Sequence, residues 1–148
     1  MGKAQLRELE RHGYYYSVPR GVSMLPMIRG GKDIIEVRRL DRMAKRGELV
    51  LYVRGANDQG VLHRVIHVRD HDYVIAGDNC WRREVIPHER VVGVASSFYR
   101  NGKWYSVNDG GYRVYAWLWT ALFPVRRPIY YVRDRARAKI ARIRGHHA

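Results

Sequence analysis

Short segments rich in β-branched and aromatic residues, separated by tight turns, fill most of the chain between residues 14 and 107. This spacing predicts a mainly β fold, because strands so close together in sequence are joined by hairpins and short loops. Asn101-Gly102 is the strongest hairpin signal, since both residues readily adopt the positive φ angles of a two-residue turn. A polar turn is predicted at residues 55–60. The predicted strands cover residues 14–18, 33–39, 48–54, 61–68, 73–79, 89–100 and 103–107.

The two ends of the chain differ in composition from this β region. Residues 4–11 predict a short helix that ends at Gly13. From residue 111 the sequence becomes aromatic and then basic, which predicts a helix, a proline break and a second, basic helix. We therefore divide the chain into a β domain at residues 1–110 and a helical, basic extension at residues 111–148.

Composition restricts the partners and the chemistry. The chain has 28 Lys and Arg residues against 14 Asp and Glu residues, which gives a formal net charge of +14. Such a charge favours nucleic acid, an anionic membrane surface or an acidic peptide as partner. Cys80 is the only cysteine, so no internal disulfide is expected, and we predict no metal and no other cofactor. No apolar run reaches the ~18 residues of a spanning helix, so we expect a cytoplasmic protein, at most peripherally membrane-associated.

Ser23 lies in a segment that predicts a rigid, exposed turn. Gly21 permits unusual dihedral angles two residues before the serine, and Pro26 stiffens the exit from the turn. A serine nucleophile needs such a turn, because its Oγ must meet a base while free backbone N–H groups stabilise the oxyanion. An ordinary loop serine is the alternative interpretation of the same residues.

Three further segments follow the serine segment in a set order. They are Arg46-Gly47-Glu48-Leu49-Val50, Leu62-His63-Arg64-Val65-Ile66 and Gly77-Asp78-Asn79. Together with Ser23-Met24-x-Pro26, this ordered set resembles the type I signal peptidases over roughly residues 17–95. The endoplasmic-reticulum-like branch of that family is the more similar one, because it carries histidine before Arg-Val-Ile where the bacterial branch carries lysine. The resemblance implies a coiled β-sheet like that of signal peptidases and repressor proteases.

The resemblance also implies roles for individual residues. Ser23 is expected to be the nucleophile, and His63 is expected to be its general base, a role that suits histidine because it titrates near neutral pH. Asp78 of the Gly-Asp-Asn motif either orients His63 or holds the site together by hydrogen bonds. His67, on the same predicted strand face as His63, lacks the motif. Glu84, the nearest acid after the motif, is not expected to act in place of a second family aspartate.

The family binds its substrate as an extended strand beside the serine turn, so edge-strand pairing is the expected mode of recognition. The predicted function is therefore a serine endopeptidase that cleaves a peptide or a leader-bearing precursor. Arg64 is expected to form a structural pair near the site. The predicted substrate contacts are Tyr16, Val18, Met24, Val74 and Ala76.

The basic extension leaves two interpretations open. Its aromatic residues and the arginines that follow suit an interfacial helix, so an anionic membrane surface is a candidate partner of residues 112–148. Alternatively, the aromatic side chains pack on the sheet and the basic end is solvated. A different function follows if the peptidase fold is inactive, namely binding of an anionic membrane or nucleic acid through the basic tail. Nucleic acid is the less favoured partner, because no helix-turn-helix is recognised.

Overall fold

One antiparallel sheet, curled into a half-barrel, dominates the computed structural model, which describes residues 3–54 and 59–145. Its strands are β1 (Tyr14–Ser17), β2 (Ile34–Arg39), β3 (Leu49–Arg54), β4 (Gln59–Val68), β5 (Asp72–Ala76), β6 (Glu84–Pro87), β7 (Val91–Arg100) and β8 (Lys103–Ser106). The strand order is β1-β2-β7-β3-β4-β5-β6, and β8 pairs with β7. The prediction of a mainly β fold with a helical extension is confirmed, while the predicted turn at 55–60 lies mostly outside the described residues.

Within residues 3–54 and 59–145, three α-helices flank the sheet, together with a 3-10 turn at His88–Arg90. They are α1 (Lys3–His12), α2 (Gly110–Ala121) and α3 (Phe123–Gly145). Helix α1 ends at Gly13, whose φ of 75° suits glycine, as the sequence predicts. Leu122 separates α2 from α3, and Pro128 lies inside α3. Among the described residues, no helix has both the length and the apolar character needed to cross a bilayer.

The strand positions follow from local sequence. Strand β3, with four buried residues in succession, lies between β7 and β4, where both of its faces are covered. The hairpin of β7 and β8 turns at Asn101 and Gly102, whose φ angles are 51° and 80°, so that prediction is confirmed. Strand β6 has no counterpart among the predicted strands, because it has only four residues and ends at a proline.

Within the described residues, the buried side chains form two main apolar clusters and a small third one. The larger cluster joins α1, β1, β2 and α2, and it includes Met24 and Ile28 from the loop that contains Ser23. Met24 is 4% exposed and Ile28 is 1% exposed. Burial of such side chains contributes about 1.5–3 kcal/mol each, so the serine loop is anchored in the core at two points. The smaller cluster joins β3, β4, β5 and β6.

A β-bulge in β4 separates the two histidines of that strand. The pairing of β4 with β5 shifts register between Val65 and His67. Because a bulge interrupts the alternation of side chains, His63 is buried beside the cleft described below, whereas His67 is exposed and lines a groove next to α3. The prediction that both histidines share one strand face is therefore wrong.

Candidate active site

A cleft of about 860 Å³ opens between the serine loop, the middle of the sheet and the start of β6. Ser23 and His63 both line this cleft. Its apolar floor comes from the larger core cluster, and Arg20, Arg54 and Arg82 are its cationic lining residues. The serine loop and strand β4 thus present the predicted nucleophile and the predicted base to one cavity.

Short-range contacts hold the loop that carries Ser23. The Leu25 N–H donates to the Val22 carbonyl at 3.3 Å, and the peptide bond between Leu25 and Pro26 is cis. Gly21 has a φ of 82°, which favours glycine. A Cβ at Gly30 would lie 2.0 Å from the Gly21 carbonyl oxygen, so this close approach requires glycine. The loop is therefore the tight turn that the sequence predicts.

The Gly-Asp-Asn segment fastens the serine turn to the sheet. The Asn79 N–H donates to the Ser23 carbonyl at 2.7 Å, and Asn79 Nδ2 donates to the Val22 carbonyl at 3.1 Å. A Cβ at Gly77 would lie 2.7 Å from the Ser23 carbonyl oxygen. Glycine at this position thus lets the two segments touch, and asparagine holds them together.

Asp78 forms a buried ion pair rather than a contact with His63. Its two carboxylate oxygens accept hydrogen bonds from Arg64 Nε at 2.8 Å and Arg64 Nη2 at 2.7 Å, and both side chains are fully buried. The Tyr115 hydroxyl donates to Asp78 Oδ2 at 3.0 Å. Of the two roles predicted for Asp78, these contacts support the structural one, and the expected structural pairing of Arg64 is present.

The C-terminal helices complete the same network. Arg126 Nη1 and Trp119 Nε1 donate to the Asp78 carbonyl at 2.6 Å and 2.8 Å. Arg133 donates to the side-chain and main-chain oxygens of Asn79 at 2.5 Å and 3.0 Å. Residues beyond the predicted boundary at 110 thus secure the motif that holds the serine turn.

The carboxylate that faces His63 belongs to Glu84. Nδ1 of His63 lies 3.5 Å from Glu84 Oε1 and 3.3 Å from the Tyr52 hydroxyl. The Tyr52 hydroxyl donates to Glu84 Oε1 at 3.0 Å, and Arg54 also donates to that oxygen. Glu84, which is not expected from the sequence to act in place of a second family aspartate, thus lies in the cleft as the first residue of β6.

The neighbours of Glu84 keep it ionised. The hydrogen bond with His63, with further contributions from Tyr52 and Arg54, lowers the pKa of Glu84 to about 2 against the opposing effect of burial. A carboxylate beside Nδ1 favours the tautomer that carries its proton on Nδ1. The other ring nitrogen, Nε2, is then free to accept a proton in the cleft.

Cys80 is a poor competitor for the role of nucleophile. It lines the cleft, but burial raises the pKa of its thiol, with a smaller contribution from Asp134. Because the thiolate is the reactive form, a raised pKa keeps Cys80 unreactive near neutral pH.

The predicted substrate contacts fall into two groups. Val18 and Met24 line the cleft. Val74 lines the separate groove beside α3, and Ala76 is buried in a small cluster with Phe123. Val74 and Ala76, two residues apart on β5, thus lie on the face of the strand that packs toward α3 and not on the cleft side.

Tyr16 also lies outside the set of cleft residues. Its ring packs 5.7 Å from that of Trp104, centroid to centroid, and 5.9 Å from that of Tyr14. Ser17 and Tyr15 are the residues of β1 that line the cleft instead. Of the five predicted contacts, Val18 and Met24 therefore remain.

Sequence reasoning missed three residues of the site, namely Tyr52, Arg54 and Glu84. Tyr52 and Arg54 are two residues apart on β3, so strand alternation alone would place them on one face.

Among the described residues, no cluster of three or more His, Cys, Asp or Glu could hold a metal ion. The chain matches no protein-family model and no curated protein sequence.

Proposed function

We propose that this protein is a serine endopeptidase of the signal-peptidase-like type, with Ser23 as nucleophile and His63 as general base. One observation carries the proposal: His63 shares a cleft with Ser23 and turns Nδ1 toward an ionised glutamate. That is the arrangement in which a carboxylate fixes the tautomer of a catalytic histidine. The signal-peptidase-like form of the curled sheet belongs to the same proposal.

The chemistry follows the general path of serine peptidases. Nε2 of His63 accepts the Oγ proton as Ser23 attacks the scissile carbonyl carbon, and backbone N–H groups of the serine turn stabilise the oxyanion. The protonated imidazole then gives its proton to the leaving amine, which breaks the peptide bond and leaves an acyl-enzyme. Water, deprotonated by the same nitrogen, hydrolyses the ester and frees Ser23.

The substrate in this proposal is an extended peptide. Within the described residues, β1 is the end strand of the sheet, and Ser17, Val18 and Pro19 at its C-terminal end line the cleft that contains Ser23, so a bound strand can lie beside this segment. The cleft floor beside β1 is apolar, with Ile28, Leu51 and Leu62 as lining residues. A leader-bearing precursor that presents an extended apolar segment fits such a cleft.

The proposal is tested by comparing the two histidines of β4. We expect His63→Gln to lower kcat/KM for peptide cleavage by about 10³-fold, because no group then accepts the serine proton. His67→Gln, a change on the same strand outside the cleft, is expected to leave cleavage within about threefold. Cleavage of a defined peptide mixture, followed by mass spectrometry, measures both. Equal activity of the two variants, or no cleavage by the unaltered chain, would contradict the proposal.

Glu84→Gln tests the positioning role of the carboxylate. We expect kcat to fall about 10- to 100-fold with little change in KM, because the amide no longer favours the productive tautomer. A rise in KM that accompanies the fall in kcat, or an unchanged kcat, would show that Glu84 supports only the fold.

A further inference from the structure

Helix α3 carries a row of exposed apolar side chains along one face. The members of the row are spaced three or four residues apart, so they lie on one side of the helix. The one longer step, from Val132 to Ile140, is bridged by Ala136, which continues the same spacing. They are Val125 (61% exposed), Ile129 (60%), Val132 (64%), Ile140 (49%) and Ile143 (53%).

The row extends onto α2, and the opposite side of the helix pair is already occupied. Val114, Leu118 and Leu122 are exposed on α2 and at the break between the helices. The covered side carries Tyr112, Ala116, Thr120, Phe123 and Arg126, all buried against the rest of the protein. As far as Arg126, the helix pair is therefore covered on one side and carries exposed apolar residues on the other, and beyond residue 134 α3 is exposed on all sides.

Cationic side chains border the exposed row on α3. Arg135, Lys139 and Arg142 follow the same three- and four-residue spacing beside the row, and all three are exposed. In residues 112–145 the only acidic residue is Asp134. An apolar row with basic residues alongside it is the pattern of a helix that lies in the interface of an anionic bilayer.

We infer that α2 and α3 form a docking surface for an anionic membrane, with the exposed row facing the acyl chains. Long basic side chains beside the row can reach the headgroups while their methylene stems stay in the apolar layer. The exposed Trp117 indole, at 68% exposure, suits the depth of the headgroups. Each basic residue near the surface strengthens binding by about fivefold.

Charge distinguishes an anionic membrane from two alternative partners for this face, a second copy of the chain and nucleic acid. Two copies of this chain, each with a formal charge of +14, would bring like-charged helix flanks together if they paired along the row. Nucleic acid would satisfy the arginines but would leave the apolar row in water. Only an anionic lipid surface complements both the row and its flanks.

Vesicle flotation of the full chain tests the inference. The unaltered protein is expected to float with vesicles of phosphatidylcholine mixed with phosphatidylserine, and to bind pure phosphatidylcholine vesicles at least tenfold more weakly. Two variants address the face: Ile129→Ser/Val132→Ser removes apolar contacts, and Arg135→Gln/Lys139→Gln/Arg142→Gln removes charge. Each is expected to weaken binding at least tenfold while circular dichroism and peptide cleavage stay unchanged.

Matched controls place the same chemical changes elsewhere on the surface. Met43→Ser/Val85→Ser alters two exposed apolar side chains, and Arg11→Gln/Arg39→Gln/Arg90→Gln removes three exposed charges. These variants are expected to bind vesicles within about threefold of the unaltered chain. Equal losses of vesicle binding in the charge variant and in its matched charge control would overturn the inference, since binding would then follow net charge alone.

Two further outcomes would also overturn it. The first is a dimer in light scattering that Ile129→Ser/Val132→Ser dissociates, without vesicle binding by the unaltered chain. The second is duplex DNA binding that the arginine variant abolishes and the apolar variant preserves, again without vesicle binding. Peptide cleavage is measured separately, so failure here and failure of the proposed peptidase activity are distinguishable.

Discussion

Ser23→Ala is expected to reduce peptide cleavage by about 10⁴-fold or more, leaving only the residual catalysis that the oxyanion donors and substrate binding provide. The hydroxyl is the only group in the proposed mechanism that forms a bond with the substrate, so no neighbour can replace it. Cys80 lines the same cleft, but its raised thiol pKa keeps it protonated. The change removes one oxygen atom from a half-buried side chain, and the fold should tolerate it.

Ser17→Ala is the matched control, because Ser17 is also half-buried and lines the same cleft. We expect this variant to cleave within about threefold of the unaltered chain. Both variants are assayed on the same peptides, and their thermal midpoints establish that they are folded. Cleavage by Ser23→Ala at the rate of Ser17→Ala would assign the activity to another group.

Arg64→Met is expected to lower the free energy of unfolding by about 3–5 kcal/mol, because it leaves the Asp78 carboxylate buried with no opposite charge. Both partners are fully buried, and the guanidinium forms two hydrogen bonds with the carboxylate. It also donates to the Gly47 carbonyl at 2.8 Å, so the change removes a contact with the loop before β3. Chemical denaturation with a fluorescence signal measures the loss.

Two companion variants make this prediction specific. Arg69→Met removes a surface pair with Asp72, in which the arginine side chain is 53% exposed, and is expected to cost less than about 1 kcal/mol. Arg64→Met/Asp78→Leu is expected to be more stable than Arg64→Met, because no uncompensated charge stays in the interior. Similar stability of Arg64→Met and Arg69→Met would mean that the buried pair of Arg64 and Asp78 does not stabilise the fold more than a surface pair does.

The strands were predictable because their signals are local. β-Branched runs and the Asn101-Gly102 turn determine β3, β7 and β8 with little influence from the rest of the chain. Strand β6 was not, since four residues that end at Pro87 carry too weak a pattern. The bulge in β4 depends on pairing with β5, and alternation within one strand cannot reveal it.

The candidate site was predictable only in part, for a related reason. Motif order indicated Ser23 and His63, which line one cleft. Which acid meets His63 depends on the path of the chain from Asn79 into β6, and that path is a property of the tertiary fold rather than of spacing along the chain. Glu84 therefore takes the position beside Nδ1, while Asp78 is committed to Arg64 and Tyr115.

The hydrogen bonds from Arg126 and Arg133 to the Gly-Asp-Asn segment have a consequence for the order of events during synthesis. The serine turn is translated early, but the side chains that secure its support come more than a hundred residues later. In the peptidase that we propose, a nascent chain therefore has Ser23 and His63 before the side chains that secure the serine turn. We expect its competence for cleavage to arise only after α3 has folded against the Gly-Asp-Asn segment.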